Sequence, residues 1–393
     1  MTIESINTLK IDKSNWTKVK FGAVVKEPKE STKNPVADGI VHVVGLEHID
    51  KEDIHLRKSA TLEDSTTFTK RFEVGDVLFG RRRAYLKKAA QAAFSGICSG
   101  DITVFRAKKK LLPSLLPFIV QNEKFFDYAI KHSAGGLSPR VKFKDLANYE
   151  FLLPPLDQQA ELAELLWAMD GVIEAEKVVL EKLNAVYLSK IEKELINKTS
   201  NKVYFKTLGD VIRGVGYKPK QLLEEYSDKT CIILRSNNIF KSKINYDNIK
   251  ILDLKNIKPL QILTDGDFAI CMSNGSKELV GKSAIYIHEN QNISIGSFCA
   301  AFRPKDNYSK MLLQHLFSSE SYRYAIKRIL SGSAINNLKP SDIEGVSIRI
   351  HNDEKIVKKL LEELSNLVIN KNKLKNKLKA SQALQKSLIN QIF

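Results

Sequence analysis

PLDQQAELAELLWAMDGVIEAEKVVLEKLNAVYLSKIEKELIN (residues 155–197) and NDEKIVKKLLEELSNLVINKNKLKNKLKASQALQKSLINQIF (residues 352–393) are two long helix-forming runs, free of proline after Pro155. Each follows a segment of similar size that reads as globular. A spacer of about 40 residues is about 60 Å of helix at roughly 1.5 Å per residue. The order is head, spacer, head, spacer, and the spacers read as a ruler between two heads.

The repeat can be followed residue by residue. Phe21-Gly22-Ala23-Val24-Val25 is matched to Leu208-Gly209-Asp210-Val211-Ile212, and Gly75-Asp76-Val77-Leu78-Phe79 to Gly266-Asp267-Phe268-Ala269-Ile270. Ser133-Ala134-Gly135-Gly136 pairs with Leu330-Ser331-Gly332-Ser333, and an extended run from Asp145-Leu146 to Leu153 pairs without a gap with Asp342-Ile343 to Ile350. Each match is weak alone, but four in one order point to tandem duplication. The boundaries read from this pattern are 1–154 for the first head, 155–200 for the central helix, 201–351 for the second head and 352–393 for the C-terminal helix.

A chain of 393 residues, 43% hydrophobic, is long enough for two cores of ordinary domain size. Apolar stretches stop short of a membrane span, and the lead Met1-Thr2-Ile3-Glu4-Ser5 lacks a basic-then-apolar leader, so a cytoplasmic protein with no membrane partner is expected. The four cysteines, Cys98, Cys231, Cys271 and Cys299, are scattered and read as small buried hydrophobes, with neither a zinc site nor a disulfide framework. The formal net charge of +17 asks for a polyanion, and double-stranded DNA answers it. The alternative source of that charge is a Lys- and Asn-rich compositional bias.

Within the heads, Val41–Val44, Asp101–Phe105, Thr230–Leu234, Asp267–Met272 and Ser283–Ile287 read as strands. Leu115–Lys131 and Leu312–Leu330 each read as a late helix. The fold class is α+β, with two tandem mixed α/β heads separated by two long antiparallel coiled-coil helices. Between two strands of the first head, Arg81, Arg82, Arg83, Tyr85, Lys87 and Lys88 concentrate five cations and an aromatic in one turn. Arginine forks suit a guanine edge and lysines suit phosphate, so this turn is the leading DNA-contact candidate; a solvated basic turn is the alternative. The matching turn of the second head carries Ser273, Asn274, Ser276 and Lys277, whose amides and hydroxyls suit an adenine edge or phosphate. A second pair of loops contributes Arg140 and Lys142 in one head and Asn336 and Asn337 in the other. Ser276 to Ser283 resembles a phosphate-binding loop, yet Ser276 replaces its first glycine and a strand pattern follows where a helix is required.

Along the spacers the apolar positions step by four and three: Leu162, Leu166, Met169, Ile173, then Glu176, then Leu180, Leu183, Tyr187. The partner run is Val357, Leu360, Leu364, Leu367, then Lys371, then Leu374 and Leu378. Such heptads signal a coiled-coil seam. In an antiparallel pair the two mid-helix charges meet, so Glu176 with Lys371 is the expected register lock; two unrelated charges reaching water is the alternative.

The order of elements, Trp16-Thr17-Lys18-Val19-Lys20-Phe21-Gly22 at the start of the first head, Gly75 to Arg83 within it, and the junction Leu152-Leu153-Pro154-Pro155-Leu156-Asp157-Gln158-Gln159 resemble the specificity subunit of a type I restriction-modification enzyme. The resemblance covers nearly the whole chain, although the second junction, Ile350-His351-Asn352-Asp353-Glu354-Lys355, lacks the prolines and glutamines. It implies that each head is a target recognition domain reading half of a split DNA site, with the helices setting the gap. It also implies that the helices dock two modification (methyltransferase) subunits, which carry the S-adenosylmethionine, and that restriction (translocase) subunits join the full complex. This chain would then be no enzyme and hold no cofactor or metal, in keeping with its lack of a methyltransferase tetrad, a complete P-loop or a His/Cys cluster. The rivals are a nuclease or methyltransferase with a duplicated DNA-binding domain, and a standalone DNA-binding or coiled-coil scaffold.

Overall fold

Gly75 and Gly266 hold φ of 86° and 91°, the left-handed region that glycine enters without steric cost. The aspartate after each turn is buried and accepts a backbone N–H three residues back, Glu73 to Asp76 and Thr264 to Asp267, both at 2.8 Å. The strands that follow, Val77–Gly80 and Phe268–Cys271, are buried throughout and form the centres of two matching sheets. Across the sheet an arginine clamps each aspartate: Arg106 Nη2 lies 2.7 Å from Asp76 and Arg303 Nη2 2.7 Å from Asp267. The repeated Gly-Asp pair is thus a turn, a cap and a buried ion pair in one.

The computed structural model describes residues 11–62, 67–197, 199–287, 291–332 and 335–393. The lead Met1-Thr2-Ile3-Glu4-Ser5 and the repeat position Ser333 lie outside them. The chain divides into two compact units, one made of the described residues up to Val178 with Lys375–Phe393, the other of Val179–Leu374. Both long helices, Leu156–Lys190 and Glu354–Ile392, are therefore shared between units and are not domains of their own. The cause is packing, since each helix end is buried in a head's core.

In the first unit the main sheet runs Val25–Lys26, Ile102–Ala107, Val77–Gly80, Ala89–Ala92, His55–Leu56. In the second it runs Gly209–Arg213, Cys299–Pro304, Phe268–Cys271, Ser283–Ile285. Each unit adds a four-stranded sheet with one parallel pair, His42–Val44 beside Gly96–Cys98 and Thr230–Leu234 beside Ile293–Ile295. A short ladder closes each head, Thr17–Lys20 against Glu150–Leu153 and Lys202–Tyr204 against Ser347–Arg349.

The single late helices expected from periodicity are broken in both heads. Leu116–Gln121 stops at Asn122, whose side chain accepts the Lys124 N–H and starts Glu123–Lys131. Asn307–Leu316 likewise precedes Glu320–Ser331, which Ser319 caps at Tyr322 N–H. A polar cap inside an apolar pattern restarts the helix at a new angle. The expected extended runs at Asp145-Leu146 and Asp342-Ile343 are helical turns, Phe143–Leu146 and Pro340–Glu344, before the strands.

The structure also shifts one repeat anchor by three residues. Phe21 N–H donates to Tyr149 O and Phe205 N–H to Val346 O, while Lys108 and Lys305 donate to Val24 and Leu208. Phe21 therefore corresponds to Phe205, and Leu208 corresponds to Val24.

Gln158 and Gln159 of the first junction fasten the central helix to its head. Trp16 Nε1 donates to Gln158 Oε1 at 2.8 Å; Gln159, 1% exposed, accepts Leu112 N–H and donates to Lys110 O and Pro154 O. The second junction lacks these glutamines, and there Asp353 caps the helix, accepting the N–H of Lys355 and Ile356. In the first unit Leu162, Leu166 and Met169 pack in one core with Leu388, Ile389, Ile392 and Phe393; Ile173 is also buried. In the second, Tyr187, Ile191 and Leu195 share a core with Val357, Leu361 and Leu364, with Leu367 against it and Leu360 buried nearby. Leu180, Leu183, Leu374 and Leu378 are only half-buried.

The expected lock of Glu176 with Lys371 is replaced. Buried Glu176 meets Lys377 at 3.3 Å, whereas Lys371 donates to Asn184 Oδ1 at 2.7 Å and lies 4.4 Å from the Tyr187 ring centre. The helices pair in a register that brings a later lysine to the glutamate; each charge meets its partner inside its own unit, although neither buried Glu176 oxygen accepts a hydrogen bond.

His315, fully buried, lies 3.0 Å from the Tyr187 hydroxyl through Nδ1. Burial pulls its pKa from the ordinary 6.5 down to about 4. The unfolded chain then binds a proton that the folded chain refuses, so stability is complete above 6.5 and falls as pH drops toward 4, by about 3 kcal/mol at most. In His315→Gln the unfolding free energy of the second unit should depend less on pH across that window. An unaltered slope in denaturant titrations would refute this account of the histidine.

Candidate nucleic-acid interface

In each unit the two loops singled out in sequence come together. Backbone bridges join Arg82 to Arg140 in the first unit and Ser273 to Asn337 in the second. Val141 N–H donates to Arg81 O at 3.0 Å, and the equivalent Leu338 N–H donates to Met272 O at 2.8 Å. Sequence separation hides these contacts; the repeat offset, shared by both, places them at one site of the duplicated fold.

The first surface is an arginine assembly organised by a carboxylate. Asp101 accepts from Arg82 Nη1 at 3.2 Å and from Arg140 Nε at 2.7 Å. Arg140, with Arg82 beside it, holds the Asp101 carboxyl below the usual carboxylate range although burial opposes this. Ser138 Oγ accepts from Arg82 Nη2 at 3.1 Å and Arg83 Nη2 at 3.4 Å. Arg81 Nε donates to Val141 O, so its head is tied to the backbone. Arg83 adopts a left-handed φ of 53° and is exposed, as are Tyr85 and Lys142.

Two of the five cations of this turn, its lysines, have partners within the unit. Lys87 is paired with Glu123, which also binds Lys386, and Lys88 donates to Leu46 O at 2.7 Å. Both lysines tie the turn to neighbouring elements, and Arg82, Arg83 and Arg140 converge on Ser138 and Asp101. Asp101, which sequence reasoning missed, lies 19 residues beyond Arg82 and 39 before Arg140.

The second surface is built from amides and hydroxyls. Asn336 Nδ2 donates to Gly275 O at 3.2 Å, Asn274 Nδ2 to Ser236 Oγ at 3.2 Å, and Ser276 N–H to Asn274 Oδ1 at 3.0 Å. Asn337, Ser276 and Lys277 are exposed. Ser236 and Phe298, neither singled out from sequence, adjoin the loop; Phe298 O accepts the N–H of Met272 and Ser273. The strand Ser283–Ile285 follows the P-loop-like stretch, where a phosphate-binding loop would lead into a helix.

The four cysteines are free and buried. The sequence predicts no metal cluster, yet His55, Asp170 and Glu174 bring one donor atom each within 4.8 Å of one another. Positive charge already serves that cluster: Glu174 pairs with Arg57 at 2.7 Å and Lys177 at 2.8 Å, and His55 Nε2 lies 2.7 Å from Asp170 Oδ2. The Asp170 hydrogen bond raises the His55 pKa. The trio joins the first head to the central helix within the unit. Among the described residues no helix is long and apolar enough to cross a membrane.

Comparison with known proteins agrees with this architecture. Residues 13–185 match the model of the type I restriction modification DNA specificity domain. The chain is 35% identical over 162 residues, 40% of its length, to the type I restriction enzyme StySPI specificity subunit of Salmonella potsdam, and 32% identical over 160 residues, 40% of its length, to the EcoKI specificity subunit of Escherichia coli. The matched stretch spans about a third of each of those relatives, 34% in both cases. A crystal structure of the type I restriction-modification system S subunit from M. genitalium superposes with a TM-score of 0.55 at 14% identity, covering 98% of both chains, which shows a common fold. The first half of this chain thus matches the type I restriction modification DNA specificity domain, and the chain shares its fold almost end to end with a solved S subunit.

Proposed function

We propose that the chain is the non-catalytic sequence-reading subunit of a type I restriction-modification complex, each unit recognising one part of a split DNA target. The observation that carries this reading is the duplicated pair of bridged loops: arginines around a carboxylate at Arg82–Arg140, amides and hydroxyls at Ser273–Asn337. Equivalent positions with different hydrogen-bonding chemistry suit two different base sequences. Modification subunits dock on the exposed faces of the long helices and bring S-adenosylmethionine and the methyl transfer, while restriction subunits join the same assembly. The net charge of +17 supplies the phosphate attraction that both halves share.

Titration of duplex DNA with the chain and its modification subunits at several salt concentrations tests the reading. Log affinity should fall linearly with log salt; affinity without that dependence would favour a protein-binding scaffold. Deleting one heptad from each long helix should shorten the unread gap by about three base pairs, since seven residues rise about 10 Å. A gap of unaltered length would refute the helices as its determinant.

A further inference from the structure

The two reading surfaces share one turn and differ at one residue of it. Ile102 N–H closes the turn onto Ser99 O at 3.0 Å, and Cys299 N–H closes its copy onto Gly296 O at 2.8 Å. The residues before them, Asp101 and Phe298, therefore occupy the same position. Each sends its carbonyl to the first loop: Asp101 O accepts Arg81 N–H at 2.9 Å, and Phe298 O accepts Met272 N–H at 2.9 Å and Ser273 N–H at 3.1 Å. Each residue is thus tied by its backbone to the bridged loops, and the two side chains could hardly be less alike.

In the first unit Asp101 takes the Nε and Nη2 atoms of Arg140, at 2.7 and 3.4 Å. That leaves the Nη1–Nη2 edge of Arg140, whose side chain is 44% exposed, held only by long bonds of 3.4 Å, from Nη1 to Ser138 O and from Nη2 to Asp101, as the fork turned to solvent. Arg82 is a brace: its two terminal nitrogens are held by Asp101 and Ser138, and its Nε is buried. A fork fixed at one edge loses less freedom on meeting a guanine O6/N7 pair than a free side chain would. In the second unit the same position holds Phe298, 69% exposed, whose carbonyl accepts the N–H of Ser273, a polar residue bridged to Asn337. Apolar groups in such surfaces recognise the thymine methyl of the major groove.

We propose, resting on the reading of the previous section, that this single turn residue sets what each surface recognises. Asp101 is a positioning residue that aims Arg140 at a guanine, and Phe298 contacts a thymine methyl directly. The recognised partner is the major-groove edge of a G·C pair in one half-site and of a T·A pair in the other.

The test is selection from a randomised duplex library by the full chain assembled with its modification subunits, as wild type, Phe298→Ala and Asp101→Asn. Phe298→Ala should lose roughly tenfold of the preference at one T·A pair in one half-site, and Asp101→Asn a similar amount at one G·C pair in the other half. The opposite half, the salt slope and the melting temperature should stay as in wild type. A merely structural role would instead lower melting temperature and weaken every sequence alike, which overturns the proposal. So would variants that select the wild-type motif with undiminished stringency. If wild type selects no split motif, the underlying functional reading fails first and this inference falls with it; if wild type selects one and the variants match it, only the inference fails.

Discussion

Removal of residues 388–393 is expected to unfold the first unit at temperatures where the second stays folded. Leu388, Ile389, Ile392 and Phe393 are 4%, 4%, 0% and 6% exposed, in the core that contains Trp16, Phe125, Phe126 and Phe151. Burying a large apolar side chain contributes about 1.5–3 kcal/mol, so the four together contribute roughly 6–12 kcal/mol as an upper estimate. That is comparable to the whole stability of a typical domain. Polar fastenings disappear as well: Asn122 Nδ2 donates to Ile389 O, Glu123 N–H to Asn390 Oδ1, and Lys13 Nζ to the carbonyls of Gln391 and Ile392. Both tryptophans, Trp16 and Trp167, belong to this unit, so their fluorescence follows it alone. The truncated chain should lose the cooperative fluorescence transition, and a transition at the wild-type midpoint would show that the C-terminal helix does not hold the first head. Single substitutions grade the effect, with Ile392→Ala expected to cost about 2–5 kcal/mol.

Arg303→Ala should destabilise the second unit by about 3 kcal/mol. The substitution leaves the Asp267 carboxylate, 1% exposed, without its cation, and stranding a buried charge costs roughly 3–5 kcal/mol. The lower end applies because the arginine side chain is 26% exposed and water can partly replace it. Asp267 would keep the Thr264 N–H. The bond from Arg303 Nη2 to Ile262 O would also go. For a unit of this size the melting midpoint should fall by roughly 6–12 °C in calorimetry, while tryptophan fluorescence of the first unit is unmoved. An Asp267→Ala, Arg303→Ala double variant should lose less than the two single variants summed, because the stranded charge is then absent. Full additivity would mean that the pair is not a coupled unit. The same cycle on Asp76 and Arg106 should give the same sign, with Glu30 adding a second carboxylate to Arg106 at 2.9 Å.

Features decided within a few residues are legible in the sequence. Gly75-Asp76 and Gly266-Asp267 recur in the sequence as one anchor of the repeat, and in the structure both are left-handed turns that lead into buried strands. The long helices can be read from their periodicity. Features decided by competition between local signals are not legible in this way: Asn122 and Ser319 sit inside apolar repeats, and their capping side chains override the periodicity. The anchor at Phe21 slips by three residues because an apolar-Gly pair recurs at Leu208-Gly209, and only the partners Tyr149 and Val346 identify Phe205 as its true counterpart. The loop residues Arg82, Arg140, Ser273 and Asn337 can each be singled out from type and position. Their convergence cannot, since it depends on strand order, and neither can the role of Asp101, a residue whose type alone argues against DNA. In the seam Glu176 takes a partner other than the expected one because hydrophobic spacing sets the stripe and leaves the axial register open.

Base selection by the assembled complex is the most direct test of the proposal that two unlike surfaces read two separate blocks of DNA. The expected result is two short specified blocks at a constant separation, with Arg82→Ala relaxing one block and Asn274→Ala the other. A single contiguous motif, or loss of both blocks from either substitution, would contradict it.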